Sequence, residues 1–240
     1  MAQTYGPPSI ITNGLIFAAD AGNTRCYVSG SSTCTDLIQG STGTLTNQAK
    51  YSPGGGGSWE LDGSSDDIDF GDAVPEVADL DYNNSFTWMQ WHNQDTTGLY
   101  HGLLTRMQSG GNYRGIRQVI NDSNRYMVDL RHDGSSYIRK TGTSTTFAGN
   151  IWYMCAFTYD GSTDASGVTM YVNGKVESAS TNADTLGNDT LKGYDLVLGD
   201  VDGGSLDMDG ETTLALIYNR VLTAAEVFHN YEAMKNRFGL

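Results

Sequence analysis

The 240-residue chain carries 14 Lys and Arg against 28 Asp and Glu, a net charge of −14. That balance disfavours nucleic acid as a general partner, and no apolar run reaches the roughly 20 residues of a membrane span. The length suits one large β-domain, and the preference for Asp over Glu (22 to 6) puts most of the acidity in turns rather than helices.

In chain order, the opening MAQTYGPPSI has neither a basic segment nor an apolar core, so it is read as an N-terminal arm (1–10) and not a secretory leader. GLIFAAD (14–20) is the first predicted strand. Cys26 and Cys34 bracket the polar loop CYVSGSSTC; spacing leaves their redox state open, and a chain this large needs no staple. After a GGGG turn (54–57) come strands SWELDG (58–63) and DDIDFGD (66–72), then the aromatic FTWMQWH (86–92). Trp88, Trp91 and Tyr100 are candidate ligand-binding residues, because an aromatic face suits the apolar face of a sugar; the competing reading places each Trp in the core.

GLLTRMQ (102–108), RGIRQVIN (114–121), YMVDLRHDG (126–134) and SYIRKTG (136–142) follow as strands joined by short turns. The stretch from Arg106 to Lys140 holds seven positive charges and three aspartates, so it is +4 while the remainder is −18. Such asymmetry can steer an acidic partner. Arg114, Arg117, Arg125 and Arg131 are the candidate contacts, although solvated strand faces give the same pattern. Alternation puts Arg114 and Ile116 on one face and Arg117 and Val119 on the other, so a single sheet face cannot present every arginine.

IWYMCAFTYDG (151–161) predicts a strand with Cys155 as a small core residue, and VTMYVNGKVES (168–178) a hairpin turning at Asn173-Gly174. DLVLGD (195–200) and TTLALIYN (212–219) complete about a dozen strands. Asp66, Asp67, Asp200 and Asp202 lie in acidic turns and are the candidate metal ligands. No motif requires a cofactor, and Ca²⁺ is the one ion these turns could accept, although the loop after Asp200 breaks the EF-hand spacing. The chain ends in a helix (223–238 with its cap, its turns from about Ala224 to Arg237). Thr223 and Glu226 form a capping box, Leu222 and Val227 a hydrophobic staple, and Val227, Tyr231, Met234 and Phe238 one apolar stripe.

The expected fold is all-β: a single-domain, two-sheet antiparallel jelly-roll sandwich over 1–240 with one C-terminal helix. Glycoside cleavage needs paired carboxylates, and Glu60-Leu61-Asp62-Gly63-Ser64-Ser65 lacks the last acid of E-x-D-x-x-E. No nucleophile elbow, zinc or phosphate-loop motif occurs either. No catalytic residue is assigned, and the chain is read as not an enzyme.

Six segments in order, GLIFAADAGN, SWELDGSSDDIDFGD, FTWMQWH, WYMCAFTYDGS, MYVNGK and IYNRVLTAAEV, resemble the laminin G-like (concanavalin A-type) jelly rolls. The opening PSIITNGLIFAADAGNTRCY and the ending YNRVLTAAEVFHNYEAMKNRFGL are similar to members encoded by tailed phages of marine and cyanobacterial hosts. Thr213 and Leu214 stand where many extracellular members carry an Asp-Glu pair, which weakens transfer of the family's calcium chemistry. The resemblance implies a virion surface protein, made in the host cytoplasm, that decorates a capsid or serves as a tail or fibre accessory. Its partners would be other virion proteins, copies of itself or glycans, with no nucleic acid and no membrane. A lectin module unrelated to a virion and a polysaccharide-cleaving enzyme are the alternatives.

Overall fold

A computed structural model describes residues 9–72, 74–108, 113–188, 194–200 and 206–240. The strands in chain order begin with β1 (Leu15–Ala19), β2 (Thr33–Thr35), β3 (Thr42–Leu45), β4 (Lys50–Ser52), β5 (Ser58–Asp62) and β6 (Ile68–Asp69). Then come β7 (Phe86–Gln94), β8 (His101–Met107), β9 (Gly115–Ile120), β10 (Tyr126–Arg131), β11 (Tyr137–Gly142) and β12 (Trp152–Tyr159). Last are β13 (Val168–Val172), β14 (Lys175–Glu177), β15 (Ala179–Asp184), β16 (Leu196–Leu198) and β17 (Asp209–Tyr218), with helix α1 (Ala224–Met234) after them.

All ladders are antiparallel, and they form two sheets. One runs β14-β13-β12-β7-β17-β5-β4; the other runs β15-β11-β10-β9-β8-β16-β6-β3-β2. β17 pairs with β7 along one edge. Its other edge is shared, β5 taking Asp209–Thr212 and β1 taking Ala215–Tyr218. The expected two-sheet sandwich is therefore the observed architecture.

Alternation explains the layers. On β7, Phe86 and Trp88 face the space between the sheets, where they meet Phe157 and Tyr159 of β12. Leu104, Ile116, Tyr126, Val128 and Ile138 line the same space from the opposite sheet. Met89 and Trp91 face the other way, and there the helix covers them. Cys26, Cys34 and Cys155 are buried free thiols.

The helix has its expected start. Thr223 Oγ1 accepts from the Glu226 amide, Glu226 reaches back to the Thr223 amide, and Leu222 and Val227 are both fully buried. It ends earlier than the apolar stripe suggests: Lys235–Phe238 tighten into a 3₁₀ turn, and Gly239 at φ 72° takes the left-handed conformation that glycine adopts without strain. Phe238 is thereby carried back onto Trp91 and Trp152, with ring centroids 4.5 and 4.7 Å apart. The Asn173-Gly174 turn joins β13 to β14 with both residues at positive φ, as this hairpin type requires. It lies directly under the helix, since a Cβ on Gly174 would stand 2.9 Å from Tyr231 Cβ. Among the described residues, no helix is long and apolar enough to cross a membrane.

Candidate functional site: an arginine–tyrosine face

The outward face of the second sheet is where the basic segment converges. Strand register sets Thr105, Arg117, Asp129 and Arg139 side by side across β8, β9, β10 and β11. The next row carries Met107, Gly115, Arg131 and Tyr137. Four arginine and aspartate positions from three strands thus become neighbours only through pairing.

Asp129 is fully buried at the centre. Arg117 donates to its Oδ2 from Nε at 2.8 Å and from NH2 at 2.7 Å. Arg139 donates from Nε to Oδ1 at 2.6 Å and from NH2 to Oδ2 at 2.7 Å. Arg131 stands back, with NH1 4.0 Å from Oδ2. Burial alone would raise the Asp129 carboxyl. The hydrogen bond from Arg139 and the charges of Arg117, Arg139 and Arg131 outweigh it and hold the group below the usual carboxylate range. The carboxylate thus stays ionised, and three guanidinium groups share one negative charge.

Aromatic rings border the cluster. The Arg131 guanidinium lies 4.5 Å from the Tyr137 ring centroid and 5.8 Å from that of Tyr113; Arg139 lies 5.6 Å from Tyr137. Arg131 Nε is buried without a hydrogen-bond partner. Met107, Val119 and Met127 form a small buried apolar cluster on the same side of the sheet, with Tyr100 and Leu206 packed against it. Arg139 and Tyr113 are the more open members, with the Arg139 side chain 27% exposed and Tyr113 38% exposed. Planar cations beside partly open aromatic rings can bind oxyanions and the C–H faces of a sugar.

The residues singled out in the sequence fare unevenly. Arg117 and Arg131 meet at this face. Arg114 and Arg125 do not: Arg114 Nε donates to the His132 carbonyl, and Arg125 NH1 donates to the carbonyls of Thr143 and Thr145, at opposite ends of the β9–β10 hairpin. Arg106 points the opposite way, its guanidinium buried against the carbonyls of Val77 and Tyr194. Trp88 and Trp91 form no sugar platform. Trp88 is sealed between the sheets, and Trp91 lies beneath the C-terminal turns, stacked on Tyr231 at 5.7 Å and on Phe238. Tyr100 is half-buried and borders the arginine face. Asp129, Arg139, Tyr113 and Tyr137 are the members missing from the sequence-based set; the excess of arginine was their only signal.

The acidic turns also need correction. Asp66 is buried, and its two oxygens accept the backbone amides of Gln48 and Asp62, so it is a turn brace. Asp67 accepts from Thr46 Oγ1 at 2.7 Å. Burial, followed by the charges of Asp200, Asp69 and Asp207, pushes its carboxyl up to about 6 despite that hydrogen bond. Asp200 is buried, with its carbonyl accepting from Thr105, and Asp202 lies outside the described residues. Among the described residues, no group of three or more His, Cys, Asp or Glu is placed to hold a metal ion.

With the geometry established, comparison identifies the class. A laminin G model of the concanavalin A-like lectin/glucanases superfamily matches residues 62–228, and the chain belongs to that family. No curated protein matches. Among solved structures, Trypanosoma rangeli sialidase superposes with a TM-score of 0.69 at 14% identity, over 95% of this chain and 34% of that one. The botulinum neurotoxin serotype G binding domain gives 0.66 at 15% identity, over 90% of this chain and 50% of that one. The binding domain of Paraclostridial Mosquitocidal Protein 1 gives 0.66 at 15%, over 91% and 52%. The chain therefore spans about a third to a half of the structures it resembles, and at these identities the likeness shows the fold alone.

One expectation is overturned. The missing motifs argue for a chain that is not an enzyme, but the family includes glucanases as well as lectins, and the matched structures include sialidases. Motif absence therefore gives no ground for excluding catalysis.

Proposed function

We propose that the protein is a carbohydrate-binding jelly roll carried on the surface of a phage particle, with the arginine–tyrosine face as its glycan-contacting surface. The observation that carries the glycan reading is the placement of Tyr100, Tyr113 and Tyr137 around guanidinium groups on one sheet face. Aromatic rings with flanking polar donors satisfy both the C–H face and the hydroxyls of a sugar. Membership in a lectin and glucanase family supports it. The virion setting is supported by the likeness of both chain ends to phage-encoded members, and many copies on a particle would convert weak single sites into useful avidity. On this reading the protein is made in the host cytoplasm and docks on other virion proteins or on copies of itself.

A glycan array probed with the multimerised protein tests the binding role. The expected result is selective retention that is lost on replacing Tyr137 with Ala. A flat array, unchanged by that substitution, refutes it. Mass spectrometry of purified particles tests the setting, and absence of the chain from virions refutes that part.

A further inference from the structure

Building on the glycan-binding reading, we infer that the group recognised at this face is an oxyanion borne on a sugar, a carboxylate or a sulfate ester, and that Arg131 selects for it. Three guanidinium groups face one carboxylate, so among the described residues the cluster carries two positive charges in excess. Both Asp129 oxygens are engaged by Arg117 and Arg139 at 2.6 to 2.8 Å. Arg131 is left 4.0 Å away, with only 12% of its side chain exposed and its Nε unpartnered.

Its ring contacts make the vacant valence directional. The Arg131 Cζ lies over the Tyr137 ring, 4.5 Å from its centroid, and the guanidinium N–H groups donate in their own plane. An oxyanion reaching the exposed part of the Arg131 side chain would gain a charge-assisted pair and relieve a desolvated cation. The next acid along the chain does not supply the need: Asp133 Oδ1 accepts from the Ser135 and Ser136 amides and from Ser135 Oγ of its own turn. Elsewhere the body is acidic, with a net charge of −14, so it repels an anionic glycan except at this face. Tyr113 and Arg139, both partly open, give the sugar a second contact beside the anion.

The test uses the whole chain in titration calorimetry with three probes: an oligogalacturonate, a sulfated galactan oligosaccharide and a neutral galactan oligosaccharide of equal length. At least one acidic probe should bind about tenfold or more tighter than the neutral one, on the scale of a hydrogen bond to a charged group. That preference should shrink as salt rises. Arg131→Gln should remove it, and Arg131→Lys, which keeps the charge but not the planar fork, should restore only part of it. Arg125→Gln, an equal loss of charge at a site tied to Thr143 and Thr145, should leave the preference intact. Melting curves establish that each variant is folded. Equal affinity for neutral and acidic probes, or a preference that survives Arg131→Gln, overturns the inference while leaving carbohydrate binding in place. Failure of all three probes together with a flat glycan array overturns the binding reading itself.

Discussion

Asn230 is a sharp test of how the helix is fastened. It is 1% exposed on α1. Its Oδ1 accepts from the Ile11 amide at 2.8 Å, and its Nδ2 donates to the Tyr218 hydroxyl at 3.0 Å. The Tyr218 hydroxyl in turn donates to the Ile11 carbonyl at 2.9 Å, closing a ring among the N-terminal segment, β17 and the helix. Asn230→Ala removes two of these bonds and leaves the Ile11 amide without its acceptor. Two neutral hydrogen bonds at ~1 kcal/mol each, with a further ~1 kcal/mol for the stranded amide, give a loss of about 3 kcal/mol. For a domain of this size that corresponds to a fall in Tm of roughly 6–12 °C. Differential scanning calorimetry measures it directly. A shift within about 1 °C would show that the ring contributes nothing and that apolar packing alone holds the helix.

Gly174→Ala should cost ~2 kcal/mol, because a positive φ of 76° disfavours any Cβ and this one would press on Tyr231; urea denaturation reads the loss. Acid should destabilise the protein through His92, whose pKa burial, followed by the charge of His101, lowers from 6.5 to about 3. The unfolded chain then binds the extra proton between those values, so stability falls as pH drops below 6.5. Asp67, raised to about 6, has the opposite sign: its stabilisation is present in acid and lost as pH rises through that value. His92→Phe should therefore flatten the decline in urea midpoint between pH 7 and pH 4 while leaving the Asp67 contribution; an unchanged slope would refute the assignment. Asp66→Ala should lower Tm equally in calcium and in EDTA, since its oxygens brace the Gln48 and Asp62 amides; a loss seen only in calcium would return it to a metal site.

Strands with a strong period were legible in the sequence, and so were turns with fixed chemistry. The alternation of β7, the Asn173-Gly174 hairpin and the Thr223 capping box each state their geometry locally. The edge strands β2, β4 and β15, and the short β3 beside β2, were not legible. Ala179–Asp184, for example, is a mostly exposed polar run that is a strand only because it pairs with β11. Trp91 misled for a related reason: alternation tells which face a residue takes, but not that a helix more than 130 residues later covers that face. The arginine–tyrosine face was half visible. The charge excess marked the right segment, but its members are separated by turns, and only the register of β9, β10 and β11 brings Arg117, Arg131 and Arg139 around Asp129.

The shared edge of β17 constrains how the molecule is made. Three earlier strands, β1, β5 and β7, take their partner from this one late segment. While the chain emerges from the ribosome, all three carry an edge with unmet backbone donors and acceptors until residues 209–218 arrive. Pairing across such sequence distances is slow, and open edges of this kind invite association between chains. The first sheet therefore cannot close during most of synthesis, and a chain interrupted before Asp209 would present three unfinished strand edges at once.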